Sequence, residues 1–338
     1  MKARFKQLQI IISILIMIIL ITNTSTAVQG AYEGIEVCIR TVIPALFPFF
    51  IVATHLNTSL LGYPIPLLNP IIKILNIPAG GDSLLLLGLI GGYPVGAQLV
   101  SQAYHSQQIS KRTSKILLGY CSNAGPAFIF GIAGQLFTSV HIPIILWGAH
   151  IISALMTGIL LPRPNNEYMH WDGTEESSMT SALKKSLHIC AIVCGWIIIF
   201  KVILSYMEIL LKNCPSSLVK ILIAGFLELS NGCLLLAEIP SATLRFILCS
   251  AFLSFGGLCV IFQTLSAVDS IGLGLYIHGK IIQTAISIGT STVMSFFLFP
   301  NDRITLSAAG CIILLCVIIL LLGKEAAKRY GNSILNGV

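Results

Sequence analysis

Three charged residues lie inside apolar stretches of this chain, where a charge requires compensation. Glu228 and Lys201 lie near the centres of two apolar runs, and Lys280 lies within a third. A charge at the centre of a membrane-spanning helix costs roughly 2.5–3.5 kcal/mol on insertion scales. We therefore expect these residues to act as a coupling site or charge relay, with Lys201 paired to Glu228 on depth alone. A static buried pair, or a lysine that snorkels to the interface, is the structural alternative.

Two polar, glycine-rich interruptions break apolar runs in the first half of the chain, and two fainter ones follow in the second half. Unwound backbone at membrane depth is tolerated only where protein covers it or a cavity hydrates it, so paired breaks indicate a transported substrate's site. A restarted helix also offers free N–H groups and a positive dipole end, which favour an anion. A proline kink with packed small residues is the alternative. The predicted substrate-binding residues are Gly91, Gly92, Tyr93, Pro94, Gly96, Ser122, Asn123, Gly125, Pro126, Ser230, Asn231, Gly232, Ser254, Gly256 and Gly257.

The composition indicates which kind of protein positions these residues. Of 338 residues, 55% are hydrophobic and 10% are charged, and the mean hydropathy is +0.90. A soluble domain carries about 25% charged residues. The apolar runs are long and continuous, unlike the short alternating segments of a β-barrel. We predict an all-α polytopic membrane protein in the lipid bilayer, with about eight to ten transmembrane segments, some of them broken or re-entrant.

Charge and motif content narrow the function. Basic residues flank the first and last apolar runs, which predicts that both termini are cytoplasmic; they are Lys2, Arg4, Lys6, Lys324, Lys328 and Arg329. A basic stripe with interleaved aromatics is missing, so we expect no nucleic-acid partner. The ten cysteines lack C-x-x-C spacing and the seven histidines are scattered. We therefore predict no catalytic residue, no metal site, no cofactor and no enzyme activity.

A polar stretch, 162–186, divides the chain into two membrane halves that resemble each other weakly. This similarity predicts an inverted repeat with a pseudo-two-fold axis in the membrane plane. The predicted segments are an N-terminal transmembrane helix or signal peptide (1–30), a first membrane repeat (35–161), a polar linker (162–186), a second membrane repeat (187–300), a C-terminal transmembrane helix (304–322) and a basic cytoplasmic tail (323–338).

The two interruptions of the first half also carry a family resemblance. The run 88–97 (GLIGGYPVGA), followed by 121–129 (CSNAGPAFI), resembles the YlbJ-type sporulation integral membrane proteins of the nucleoside-recognition gate superfamily. The segments 42–49 and 228–232 resemble that family as well. The family pattern has a small polar residue in place of Gly91 and a lysine in place of Gln98, so the chain departs from it at two positions of the first interruption.

This resemblance implies a fold similar to the concentrative nucleoside transporters and a role in spore development. It further implies a place in a bacterial cell membrane, the outer forespore or mother-cell membrane. The implied substrate is dipicolinic acid, a small aromatic dicarboxylate, moved from the mother cell toward the forespore. A homo-oligomer or membrane partners of the spore envelope are further expectations.

Taken together, the sequence predicts a membrane transporter of a small organic anion. Backbone N–H groups with Ser122, Asn123, Ser230 and Asn231 would bind the substrate, and Glu228 would carry a coupling proton or a cation such as Na⁺. Three alternatives stay open: a non-transporting scaffold or assembly factor for the spore envelope, a nucleoside-type solute permease, and a membrane enzyme acting on lipid or cell-wall precursors.

Overall fold

The computed structural model describes residues 2–60, 63–165, 168–169, 178–268 and 270–335. Over these ranges the chain is helical, and its only β-pairing is an isolated bridge between Ala79 and Tyr168. The predicted all-α class is therefore confirmed. The α-helices, in chain order, are α1 (Lys2–Thr22), α2 (Thr24–Val37), α3 (Ile43–Leu60), α4 (Asn69–Leu75), α5 (Asp82–Ile90), α6 (Val95–His105), α7 (Lys111–Cys121), α8 (Pro126–Gly131), α9 (His141–Leu160), α10 (Met179–Leu210), α11 (Ser217–Leu227), α12 (Leu229–Leu235), α13 (Ala242–Phe255), α14 (Gly257–Ala267), α15 (Gly274–Leu298) and α16 (Leu306–Leu335).

Six helical segments of the described ranges are long and apolar enough to cross a membrane, and the chain is an integral membrane protein. They are Thr24–Asn57, His141–Leu160, Met179–Leu210, Ala242–Ala267, Gly274–Leu298 and Leu306–Ala327. Our range of about eight to ten segments also counted broken runs as spans. In the structure such a run becomes two short helices, as in α5 and α6 with 9 and 11 residues.

The outer faces of α1 and α16 are aliphatic. Side chains such as Ile11, Met17 and Leu322 are more than half exposed. A contiguous apolar surface of this kind is rare on soluble proteins and suits contact with lipid acyl chains. These two helices therefore belong to the lipid-facing periphery, while the polar interruptions lie in the interior.

The order of elements repeats in the two halves. In each half a long helix leads into two broken pairs, and a second long helix follows: α3, α5–α6, α7–α8, α9, and then α10, α11–α12, α13–α14, α15. Helix α3 packs against α10, and α9 packs against α15. The repeated order fits an internal repeat, and the inverted orientation of the two halves stays a prediction.

Helix boundaries differ from the predicted segments at three places. The predicted N-terminal segment (1–30) holds α1 and the start of α2, and α2 runs on to Val37 in the predicted first repeat. Helix α10 begins at Met179 and takes in the last residues of the predicted linker, while linker residues 166–167 and 170–177 lie outside the described residues. Helix α16 continues through Leu335 into the predicted tail. The extensions of α10 and α16 both contain Ala and Lys, which are good helix formers, but they are polar enough to resemble a linker or tail.

Asp302, in the loop between α15 and α16, ties that loop to the start of α13. Its carboxylate accepts hydrogen bonds from the backbone nitrogen of Thr243 and the hydroxyl of Ser241, each at 2.9 Å. The backbone bond from Thr243 and the bond from Ser241 hold the pKa of Asp302 below its ordinary value.

Replacing Asp302 with alanine is expected to lower the free energy of unfolding by about 0.5–1 kcal/mol at neutral pH, near the usual value of a helix cap. Because the folded state lowers the pKa, this stabilisation is present above the ordinary pKa of about 4 and is lost as the pH falls through the lower folded value. Thermal unfolding of wild type and Asp302→Ala at neutral and strongly acidic pH measures the effect. Equal deficits at both pH values would contradict it.

Candidate functional site

Each interruption predicted from the sequence is a break between two helices. In chain order, the first break (residues 91–94) separates α5 from α6, and the second (residues 122–125) separates α7 from α8. The third break, at Glu228, separates α11 from α12, and the fourth, at Gly256, separates α13 from α14. Gly92 and Gly256 have φ angles of 78° and 83°, which glycine adopts without the strain that a side chain would add.

The four breaks meet in the interior of the protein. A β-carbon built on Gly92 would lie 3.2 Å from a backbone nitrogen of the second break, and one built on Gly256 would lie 3.6 Å from the ring of Tyr93 in the first. A β-carbon on Gly257 would lie 3.2 Å from the carbonyl oxygen of Leu227, directly before the third break. Breaks from both halves of the chain are therefore neighbours, as the sequence predicted.

A central cavity of about 30 Å³ lies among the breaks. Residues 91–93, 124–125 and 228–230 form part of its wall, and Val260 and Gln263 of α14 continue it beyond the fourth break. Much of the remaining wall is apolar, from Val42, Leu46, Phe50, Phe128, Val193 and Ile197. This volume holds about one or two water molecules. In this conformation the space is therefore too small for an aromatic dicarboxylate.

Glu228 stands on the wall of the central cavity and caps α12. It is 1% exposed, and its carboxylate accepts hydrogen bonds from the Ser230 nitrogen (2.9 Å), the Asn231 nitrogen (2.7 Å) and the Asn231 side-chain amide (2.7 Å). These donors and the positive end of the half-helix compensate its charge. A carboxylate offers about four acceptor positions, so about one remains for a proton, a water or a cation.

Lys201 is not the partner of Glu228. Its Nζ lies 3.0 Å from a carboxylate oxygen of Glu33 on α2 and 3.9 Å from one of Glu208 on α10. The pairing predicted from depth is therefore wrong, because Lys201 lies about one turn of α10 beyond Ile197, the last residue of this helix on the cavity wall, and pairs with α2. It ties α10 to α2.

Lys280, on α15, is completely buried and holds the second break. Its Nζ donates to the hydroxyl of Tyr93 at 3.0 Å, to Oε1 of Gln283 at 2.8 Å and to the carbonyl oxygen of Ser122. An ammonium has three donors, and all three are used. Ser122 follows the last turn of α7, where the helix dipole is negative. A helix end therefore compensates this charge, and no carboxylate of the described residues pairs with it.

Two further side chains extend this network between the breaks. Gln283 donates from Nε2 to Oδ1 of Asn123 at 2.9 Å. The backbone N–H of Ala124 donates to Nε2 of His150 at 3.1 Å, and His150 Nδ1 lies 3.3 Å from the hydroxyl of Ser254. Because Nε2 accepts, Nδ1 carries the proton and donates to Ser254. His150 and Gln283 are not among the predicted site residues, because their only signal in the sequence is a polar residue in an apolar helix.

The predicted site residues take different places. Gly91, Gly92, Tyr93, Gly125, Ser230 and Glu228 line the cavity. Around it, the polar network contains Ser122, Asn123, Ser254 and Lys280. Asn231 donates to the capping carboxylate of Glu228, Gly256 forms the fourth break, and Gly257 begins α14. Pro94 precedes α6, Pro126 begins α8, and Gly96 and Gly232 lie where backbones approach closely. Several groups predicted to bind substrate are thus already engaged within the protein in this conformation.

Comparison of the chain with known proteins gave no match to a family model, a curated protein or a solved structure. The site consists of four helix breaks around a small cavity, inside an integral membrane protein, with one carboxylate on the wall and one lysine behind it.

Proposed function

We propose that this protein transports a small organic anion across a membrane. The observation that carries the proposal is the meeting of four helix breaks, two from each half, around one central cavity. Secondary transporters bind substrate and coupling ions at such discontinuous helices, because only there is unwound backbone supported at membrane depth. Because the first two breaks resemble those of the YlbJ-type sporulation proteins, we take dipicolinic acid as the proposed anion, moved from the mother cell toward the forespore.

The two buried charges have separate roles in this proposal. Glu228 faces the cavity with about one free acceptor position, so it takes the coupling proton or Na⁺. Lys280 holds the Ser122 carbonyl and so keeps the second break closed. The closed cavity then belongs to the occluded state, and one structural unit rocks against the other to enlarge it.

Uptake of radiolabelled dipicolinate into proteoliposomes tests the proposal, with nucleosides as alternative substrates. Glu228→Gln is expected to slow uptake by about tenfold or more, equivalent to at least 1.4 kcal/mol in the rate-limiting barrier, because an amide carries no coupling proton. Glutamine keeps one acceptor oxygen but leaves one buried N–H without a partner, which costs about 1–3 kcal/mol, so folded yield is measured beside uptake. Glu208→Gln is the matched control, since that side chain is 64% exposed.

A folded wild-type protein that takes up neither dipicolinate nor nucleosides would contradict transport. The same result would favour a second candidate, a non-transporting membrane component of spore-envelope assembly. The observations that favour this candidate are the small cavity and the fully engaged ammonium of Lys280. It predicts that Glu228→Gln and Asn123→Ala leave function intact as long as the protein inserts and accumulates.

A further inference from the structure

A second, larger pocket of about 420 Å³ lies between α3, α6 and α10, next to the central cavity. On α3, Phe50 lines the cavity and Thr54, about one turn further, lines the pocket. On α10, Val193 lines the cavity and Ile189 lines the pocket. Likewise, residues 91–93 of the first break line the cavity, and Val95 and Gln98 of α6 line the pocket. About one helical turn therefore separates the pocket from the cavity along these walls.

The polar lining of this pocket is basic and rich in amides. Lys184, Lys185 and His188 come from α10, and Gln98 and Gln102 come from α6. Among the described residues that line it there is no Asp or Glu. A concave surface with one sign of charge concentrates ligands of the opposite sign. Gln98, where the resembling family has lysine, thus lies in a pocket to which α10 contributes two lysines.

Asn57, on α3, is a second and independent indication of a ligand. It lines the pocket and is only 7% exposed, yet its Oδ1 has no hydrogen-bond partner. A buried polar atom that stays unpaired is costly, so native proteins usually supply a partner. A half-turn of the amide presents either its N–H or its C=O group to the pocket, which suits a carboxylate or a carboxylic acid.

The central cavity has the opposite chemistry. Among the described residues its wall carries the carboxylate of Glu228 and no lysine, arginine or histidine. Lys280 lies nearby, but Tyr93, Gln283 and Ser122 occupy its three donors. An incoming anion would therefore meet the lysines of the pocket before it reaches the carboxylate of the cavity.

We propose that this pocket is an outer binding site, at which a small dicarboxylate binds before it enters the central cavity. The inference rests on the transport function proposed above and names the entrance of the same pathway. Lys184 and Lys185 would bind the carboxylates, while Asn57 and Gln98 would bind remaining oxygens. A lipid phosphate shares this chemistry, so the experiment has to separate the two sources.

The test is dipicolinate uptake by the double variant Lys184→Gln/Lys185→Gln in proteoliposomes of neutral lipid. The expected result is a KM raised about tenfold with a maximal rate within about twofold of wild type, because only initial binding is weakened. The matched control is Lys212→Gln/Lys220→Gln, whose lysines line a pocket that also contains Glu208 and Glu238. This control should leave both constants unchanged.

An unchanged KM in the double variant, with active wild type, overturns the inference and leaves the transport function standing. The KM of the double variant is also measured in vesicles that contain phosphatidylglycerol. A KM raised only in those vesicles overturns the inference, since the pocket would then bind lipid. If wild type takes up nothing, the transport proposal fails, and equilibrium binding of radiolabelled dipicolinate to the purified protein decides on the pocket. Weaker dipicolinate binding by the double variant than by wild type supports the site. Equal binding by the two proteins, or no binding to wild type, overturns it.

Discussion

Replacing Lys280 with methionine is expected to abolish uptake and to lower the free energy of unfolding by roughly 3 kcal/mol. Methionine fills a similar volume but donates no hydrogen bond, so the Ser122 carbonyl and the Gln283 and Tyr93 oxygens lose their donor. Each buried acceptor left unpaired costs about 1–3 kcal/mol, and relief of the buried charge offsets part of the sum. Thermal unfolding of the purified protein and proteoliposome uptake measure the two effects.

Lys212→Met is the control, because that lysine is exposed and loses a charge without a buried network. Gln283→Leu should give a smaller loss, since it removes one acceptor of Lys280 and the donor to Asn123. A Lys280→Met protein as stable as wild type would show that the lysine does not hold the second break. Buried charges can be replaced without loss in some proteins, so this outcome is a genuine alternative.

Replacing Gly96 with alanine is expected to prevent correct folding or to cost at least about 1–3 kcal/mol. A β-carbon on Gly96 would lie 1.9 Å from the carbonyl oxygen of Cys121, far inside van der Waals contact. The obstacle is backbone, which has no rotamer to change, so α6 and the end of α7 would have to separate. That movement would displace the first and second breaks together, and we expect uptake to be lost with it.

Gly195→Ala is the matched control for Gly96→Ala. Gly195 lies inside α10 with no atom within 4 Å of a built β-carbon. Alanine there should stabilise the helix by about 0.5–1 kcal/mol, because glycine loses more backbone entropy on folding. Folded yield and thermal unfolding in detergent compare the two variants. Similar stability of Gly96→Ala and Gly195→Ala would mean that α6 and α7 do not approach as closely as described.

Helices and breaks could be predicted from the sequence because their signals are local. Glycine, proline and short polar residues inside an apolar run interrupt a helix wherever the run is placed. The partners of the buried charges could not be predicted, because they depend on which helices pack together. Lys201 was therefore assigned to Glu228, whereas α2 supplies Glu33. Glu228 instead accepts hydrogen bonds from the start of α12, and Lys280 donates to the carbonyl that follows α7. A search of the sequence for oppositely charged residues does not find compensation by helix ends.

The basic pocket was missed for a related reason. Lys184 and Lys185 follow a polar stretch and were included in the linker, yet they belong to α10. Only the packing of α10 against α3 brings them to Asn57. A polar helix end and a polar linker have similar composition, so hydropathy alone does not separate them.

The glycines at which helix backbones touch limit how those helices can move. A β-carbon on Gly88 would lie 2.3 Å from the carbonyl oxygen of Cys121, and one on Gly279 would lie 2.2 Å from that of Gly119. Where backbones touch without intervening side chains, helices have no soft layer along which to slide, so α5, α6, α7 and α15 form a fixed frame. The Lys201–Glu33 pair joins α10 to α2 in a separate arm. The cavity has one wall from the first break and another from α10, and the pocket has one wall from α6 and another from α10. Under the proposed transport function, a swing of the arm away from the frame would therefore widen both.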